Sequence, residues 1–247
     1  MQVIYIMWLR QLKRYWRSKS RMLGSLGQPL LFLFALGFGF GSVFQKAGQG
    51  NYFDFLAPGI IAMSILFNAM FNGIEVIWDR QFGFLKETLV APVSRFKIMA
   101  GRTLGGATVA FIQGIIVFII AAMFGFKINL AAIPLALLFM FLIAILFTAI
   151  GIAIASKMDD MHAFPLIMNF ILMPLFFLSG ALFPLDNLPK AMDFIVKINP
   201  LSYGIDGVRG ALTGASHIGI LNDFIVLSAL IVIVGILGSW LFSKVEA

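Results

Sequence analysis

The side chains in this sequence that could do chemistry are few and grouped. Glu75 and Asp79 stand four residues apart, which on a helix sets both carboxylates on one face, with Arg80 close by. Within an apolar run, such a pair reads either as a proton site or as a structural ion cluster at a helix mouth. Glu75 lies about one turn from the end of its run, which favours the structural role. The two histidines, His162 and His217, fall in separate segments and are expected to hold no metal. The chain has no cysteine, which removes thiolate ligands, disulfides and Cys nucleophiles together. No lysine follows a glycine, so a G-x-x-x-x-G-K-[ST] phosphate loop is absent, and neither G-x-S-x-G nor H-E-x-x-H occurs. The expectation is a protein that is not an enzyme and carries no cofactor or metal of its own.

The elements that hold these groups are set by composition. Of 247 residues, 61% are hydrophobic and 12% charged, and the mean hydropathy is +0.99. A soluble chain is about 45–50% apolar and about 25% charged. There are too few polar residues here to cover a surface in water, so lipid is the solvent. Six stretches have the roughly 20 apolar residues that a spanning helix needs: 23–44, 55–77, 103–126, 130–155, 163–183 and 224–243. They are continuous runs, without the alternation of a membrane β-strand. The fold class is therefore an all-α membrane protein of six spans.

The net charge of +7 then reports orientation more than a nucleic-acid partner. Arg10, Lys13, Arg14, Arg17, Lys19 and Arg21 precede the first span; Arg80, Lys86, Arg95, Lys97 and Arg102 follow the second. With Lys157 and Lys244 they place thirteen of the 18 basic residues on one side. Lys46, Lys127, Lys190, Lys197 and Arg209 fall on the other. The larger group marks the cytoplasmic side, which puts both termini inside and the protein in the cytoplasmic membrane.

Three further segments have readable features. Residues 1–21 mix Trp, Tyr and apolar residues with six basic ones, the mark of an interfacial helix attracted to anionic lipid. Residues 79–92 read as a short amphipathic helix continuing from the second span and stopped at Ala91-Pro92, with Ser94 as cap of the next helix. Its apolar residues among charges suit a cytoplasmic partner. Residues 184–222 form the external connection: Asp186 or Asn187 caps a helix with Pro189 in its first turn and Leu188, Met192, Ile195 and Ile198 on one face. Asn199-Pro200 breaks it, and a second helix ends at Gly214. Both dip into the outer leaflet. Pro165 and Pro174 kink the fifth span, and Gly37/Gly41, Gly101/Gly105, Gly151/Ala155 and Gly235/Ser239 permit close helix contact.

Two of these segments together resemble a known family. Residues 80–102, with Gly83-Phe84-Leu85-Lys86-Glu87-Thr88-Leu89-Val90-Ala91-Pro92-Val93-Ser94-Arg95, are similar to the first cytoplasmic loop of type-2 ABC exporter permeases. Ser179-Gly180-Ala181-Leu182-Phe183-Pro184, Leu188-Pro189, Asn199-Pro200-Leu201-Ser202-Tyr203, Asp206 and Arg209 resemble that family's signature around the external re-entrant region. The resemblance implies a permease that pairs with a second copy of itself and with two ATP-binding-cassette subunits, ATP and Mg being bound on the partner. It also implies that Asp79, Arg80, Phe84, Lys86, Glu87, Leu89, Pro92, Ser94 and Arg95 couple to that ATPase. The subfamily looks closest to the daunorubicin-resistance type of drug exporter. Lipid or lipid-linked glycan export remains open, as do an ion-coupled carrier and a non-transporting membrane scaffold.

Overall fold

In lipid a backbone N–H or C=O left without a partner costs several kcal/mol, and a helix satisfies them within one segment. The computed structural model describes residues 2–41, 51–84, 93–126, 128–185 and 189–243, and among them every regular element is helical. They are α1 (Gln2–Arg17), α2 (Lys19–Gly39), α3 (Tyr52–Phe71), α4 (Ile74–Gln81), α5 (Arg95–Met123), a 3-10 turn at Leu130–Ala132, α6 (Ile133–Ala155), α7 (Ala163–Phe177), α8 (Lys190–Ile198), α9 (Pro200–Thr213) and α10 (Ile220–Ser243).

Among the described residues five stretches are long and apolar enough to cross a bilayer: Lys19–Gly39, Tyr52–Gln81, Arg95–Met123, Leu130–Ala155 and Ile220–Phe242. The expected span at 163–183 departs from this. α7 ends at Phe177 after 15 residues, about 22 Å of helix at roughly 1.5 Å per residue, against ~30 Å of hydrocarbon. The chain then leaves the helical region through Gly180, whose φ is +75°. Only Pro174 lies in the interior of α7; Pro165 falls in its first turn, where a missing N–H costs nothing.

α3 is the centre of the bundle. In the apolar window of the stretch 52–81, 78% of residues are buried, against 17% in α2 and 11% in α10, so those two helices leave most of their surface outside the chain's own packing. Ile60, Ile61, Ile65 and Leu66 of α3 are fully buried where α3 packs on α5, α6, α2 and α9.

α1 packs along the first half of α5 and runs in the same direction. Its buried residues, Met7, Gln11 and Tyr15, recur every four positions, and α5 meets them with small residues. A Cβ added to Gly101 would lie 2.7 Å from the Met7 Cβ, and one on Gly105 2.7 Å from the Gln11 Cβ. Only glycine allows that approach. Trp8 Nε1 then donates to the Thr108 hydroxyl at 3.0 Å, and Gln113 Nε2 to the Tyr15 hydroxyl at 2.6 Å. Of the four small-residue pairs, Gly101/Gly105 seats α1, Gly151 meets the Met70 backbone of α3 and Gly37 the Phe53 ring, whereas Gly41 and Gly235 meet nothing within 4 Å. The basic segment 1–21 is one helix only to Arg17. Ser18 leaves the helical region (φ −101°, ψ 72°), and residues 19–21 already belong to α2.

α8 and α9, of 9 and 14 residues, are too short to span. The Asn199 side chain accepts from the Leu201 N–H at 3.0 Å and donates to the Leu175 carbonyl at 2.7 Å, fixing the corner between them. Gly214 ends α9 in the left-handed region (φ 75°), the conformation a C-terminal glycine supplies without strain. Pro189 precedes α8 as its N-cap and is not in its first turn; Asp186, Asn187 and Leu188 lie outside the described residues. Of the expected face, Met192, Ile195 and Ile198 are exposed, and only Val196 of α8 is buried.

Candidate functional site

The stretch 52–81 is not one straight helix. The chain tightens at Asn72-Gly73, where the Gly73 N–H bonds to the Met70 carbonyl at 3.1 Å, and restarts as α4. α4 turns Glu75 and Asp79 inward, 2% and 6% exposed. Two carboxylates removed from water need counter-charges, and four arginines from three helices supply them. Arg10 of α1 donates Nη2 to both Asp79 oxygens at 2.7 and 2.6 Å. Arg102 of α5, 1% exposed, donates to Asp79 Oδ2 at 2.5 Å. Arg21 of α2 donates to Glu75 Oε1 at 2.8 Å and to Asn72 Oδ1 at 3.0 Å, while Asn72 Nδ2 reaches the Gly106 carbonyl at 3.1 Å. Arg14 lies 3.6 Å from Glu75 and 3.9 Å from Asp79. One pair of acids, one turn apart, therefore ties together α1, α2, α4 and α5.

Arg80, close to the pair in sequence, does not take part in this cluster. One residue on from Asp79 it points roughly 100° around the helix, toward the α6–α7 connection. There it pairs with Asp159 and donates Nη2 to the Ser156 carbonyl at 2.9 Å, while Gln81 Nε2 reaches the Asp159 carbonyl at 3.0 Å.

The segment 79–92 also differs from a single helix continuing from the span. α4 ends at Gln81, and Gly83 sits at φ +76°, a conformation that would strain any other residue by about 1–2 kcal/mol. Beyond this turn Phe84 lies under the Arg10 guanidinium, 3.9 Å from the ring centroid, and Phe82 is exposed. Lys86, Glu87, Leu89 and Pro92 lie outside the described residues. Ser94 holds the N-cap position of α5 with its hydroxyl unused; its carbonyl accepts from the Lys97 N–H at 2.9 Å. Arg95 is exposed in the first turn of α5.

The other signature residues meet at the far end of α3. Arg209 donates to the Gly180 carbonyl at 2.8 Å, and its guanidinium lies 4.1 Å from the Phe55 ring centroid. Burial draws the guanidinium down to about 10, with Asp206 acting against it. Asp206 accepts from the backbone N–H groups of His217 (2.9 Å) and Ile218 (2.8 Å) and from the Ser216 hydroxyl (2.8 Å). Burial alone would raise its carboxyl; these donors outweigh that and hold it below the usual value. Tyr203 donates to the Lys197 carbonyl at 2.6 Å, and Pro200 occupies the first turn of α9. Pro184 and Pro189 flank residues outside the description. Asp223, one residue before the expected last span, is fully buried here beside the Asp206 carboxyl.

Among the described residues no group of three or more His, Cys, Asp or Glu is placed to hold a metal. Sequence reasoning singled out Glu75, Asp79, Arg80 and Phe84 here, but read Arg10, Arg14, Arg21 and Arg102 only as marks of orientation and passed over Asn72. The available signal was an acid pair in an apolar helix, which demands cations without saying which ones.

The chain is similar to several known proteins. Nodulation protein J of Rhizobium leguminosarum bv. viciae is 31% identical over 220 residues, 86% of this chain and 85% of that protein. The transport permease ycf38 of Cyanophora paradoxa is 30% identical, over 84% of this chain and 73% of its own. Nodulation protein J of Rhizobium meliloti (strain 1021) is 28% identical, over 81% and 78%. Residues 2–213, from α1 through α9, match the ABC-2 type transporter family. This multi-pass membrane chain belongs to the ABC-2 type transporter family, as the transmembrane component of an ABC transporter and not its catalytic part.

Proposed function

We propose that the chain is the permease subunit of an exporter, working as a pair of copies in the cytoplasmic membrane with its N-terminus inside and driven by a separate ATPase dimer that binds ATP and Mg. The observation that carries this reading is the bracing of α4. Asp79 is bonded to α1 and α5, Glu75 to α2, and Arg80 to the α6–α7 connection. A push at the segment that follows α4 would reach four helices through ion pairs, without chemistry in the chain itself. Nucleotide binding on the partner would then shift the population between two bundle arrangements. Phe84 and the segment with Lys86, Glu87, Leu89 and Pro92, up to Ser94 and Arg95, are the proposed contact with the ATPase. The name of one relative, a transport permease, suits a transport role. Drug, lipid and lipid-linked glycan are the candidate cargoes, and α8 and α9 would dip into the outer leaflet.

The test is to co-express the chain with its ATPase and measure co-purification and substrate-stimulated ATP hydrolysis. Reversal of Lys86 and Glu87 together (K86E, E87K) and Phe84→Asp should abolish both while the chain still accumulates in the membrane. Unchanged association and hydrolysis in both variants would overturn the reading. Loss of transport on collapsing the ion gradient, with ATP present, would favour an ion-coupled carrier.

A further inference from the structure

α2 leaves most of its surface open, and the side of it that faces α3 is not uniformly apolar. A groove of about 380 Å³ runs between the two helices, with Arg21 at one end, Gln28 and Asn68 along its walls, and Met63, Phe67 and Phe71 as floor. Gln28 is exposed on a helix long and apolar enough to span a bilayer. An amide pointing from such a helix toward lipid is costly without a partner. The groove also begins beside an unbalanced charge. Arg10, Arg14, Arg21 and Arg102 surround only Glu75 and Asp79, which leaves two positive charges in excess where the groove opens. From Arg21 to Pro29 it extends eight residues, about 12 Å of helix at roughly 1.5 Å per residue.

We infer that the α2–α3 groove binds an anionic amphiphile, its charged head on Arg21 and its apolar chain running over Phe71, Phe67 and Met63 toward Pro29. Asn68, three residues from Phe71, and Gln28, at the Pro29 end, hydrogen-bond neutral polar groups along the ligand. Arg21 gives one N–H each to Glu75 and Asn72, and a guanidinium has five, so donors remain for a phosphate or carboxylate. Arg21 lies at one end of the groove, and the amides of Asn68 and Gln28 and the apolar floor lie along its length, so one elongated ligand can meet all of them. The binding claim is independent of whether an ATPase drives the chain.

The test uses the full chain, delipidated in detergent and titrated in native mass spectrometry with phosphatidylglycerol, phosphatidylcholine and glycerol 3-phosphate. Phosphatidylglycerol should bind about tenfold more tightly than phosphatidylcholine, the size of effect one charge-assisted pair gives. Arg21→Gln should erase that preference. Because Arg21 also holds Glu75, Gln28→Leu and Asn68→Leu serve as variants that leave the ion cluster alone; each should weaken phosphatidylglycerol about threefold to tenfold. They also separate the groove from the other basic face, on α1, which neither residue touches. Equal binding of the two lipids would overturn the inference, as would a preference that survives all three variants. So would glycerol 3-phosphate binding as well as the lipid, since the chain would then contribute nothing. A stable dimer that buries α2 and excludes lipid would assign the groove to a second copy, and would overturn it too.

Discussion

Two buried polar regions lie at opposite ends of α3, and they are built on different plans. At the Asp79 end, charged side chains satisfy one another across four helices, with partners as far apart in sequence as Arg10 and Asp79. At the Arg209 end, charged side chains are satisfied by backbone: Asp206 by the N–H groups of His217 and Ile218, Arg209 by the carbonyl of Gly180. A backbone donor in a short loop has one place to be, so the second plan fixes the corner between α9 and α10. Side-chain pairs can exchange partners, and with Arg14 at 3.6 Å from Glu75 and 3.9 Å from Asp79 the first plan keeps a spare cation within reach of both acids. The Arg209 end is a clamp. The Asp79 end is a joint, and it is the end from which the proposed ATPase contact extends.

Removing the centre of the joint should be the most damaging change. Asp79→Ala leaves Arg102, 1% exposed, without its counter-charge, and uncompensated buried charges cost about 3–5 kcal/mol. The variant should accumulate poorly and unfold at much lower temperature in fluorescence-detected size exclusion. Adding Arg102→Met should recover part of the loss, because the stranded charge goes with it. A double variant no better than Asp79→Ala would mean that the pair is not the source of the effect.

The joint can also be broken without touching a charge. Gly105→Leu places a side chain where even a Cβ would lie 2.7 Å from Gln11, so α1 must move and carry Arg10 and Arg14 away from the acids. Overpacking costs about 1–3 kcal/mol, and Trp8, bonded to Thr108, reports the displacement by its fluorescence. Gly235→Leu, into open space, should change neither stability nor emission. Combining Gly105→Leu with Asp79→Ala should cost less than the sum, since both act through α1.

How much of this was legible in the sequence depended on the range of the interaction. The five long helices follow from apolar runs alone, as does the αL cap at Gly214, because each is decided within a few residues. α7 was read as a full span because Leu178 to Phe183 is apolar, yet Gly180 and the carbonyl it gives to Arg209 end the helix early; hydropathy registers composition, not backbone direction. Glu75 and Asp79 were visible as a pair, but their partners come from residues 54 to 69 positions away, with Arg102 at 23. Six basic residues in the first 21 could have filled those places, and nothing local chooses among them. Asp223 was missed by one residue of boundary, which only packing of α10 against α9 reveals.

The clamp should respond to pH. Asp206 titrates below the usual carboxylate value of 3.8 when folded, so the unfolded chain takes up a proton first as pH falls. The stabilisation is present in full above that value and is lost as pH drops through it toward the folded pKa. Asp206→Asn cannot accept from the same set of donors with its amide nitrogen, and should cost about 1–2 kcal/mol at pH 7. The gap between variant and parent in denaturation should narrow below pH 4. A gap that stays constant down to pH 3 would show that the carboxylate's charge is not what holds the loop.

The smallest effect on stability should fall at Arg80, and that separates bracing from folding. Its partner Asp159 is largely exposed, at 88% of the side chain, and exposed ion pairs contribute about 0–1 kcal/mol. Arg80→Ala should therefore leave the melting temperature almost unchanged. It does, however, remove the hydrogen bond from α4 to the Ser156 carbonyl at the end of α6, while Asp79 keeps its hold on α1 and α5. If motion at the segment after α4 must reach α6 to open a path, the variant should bind the ATPase normally and still lose most coupling of ATP hydrolysis to substrate. Arg80→Lys should restore the charge toward Asp159 but not the two-nitrogen reach to Ser156 and Asp159, and should recover coupling only in part. Full coupling in Arg80→Ala would place the working connection entirely in the arginine cluster, leaving the α6–α7 contact a matter of packing.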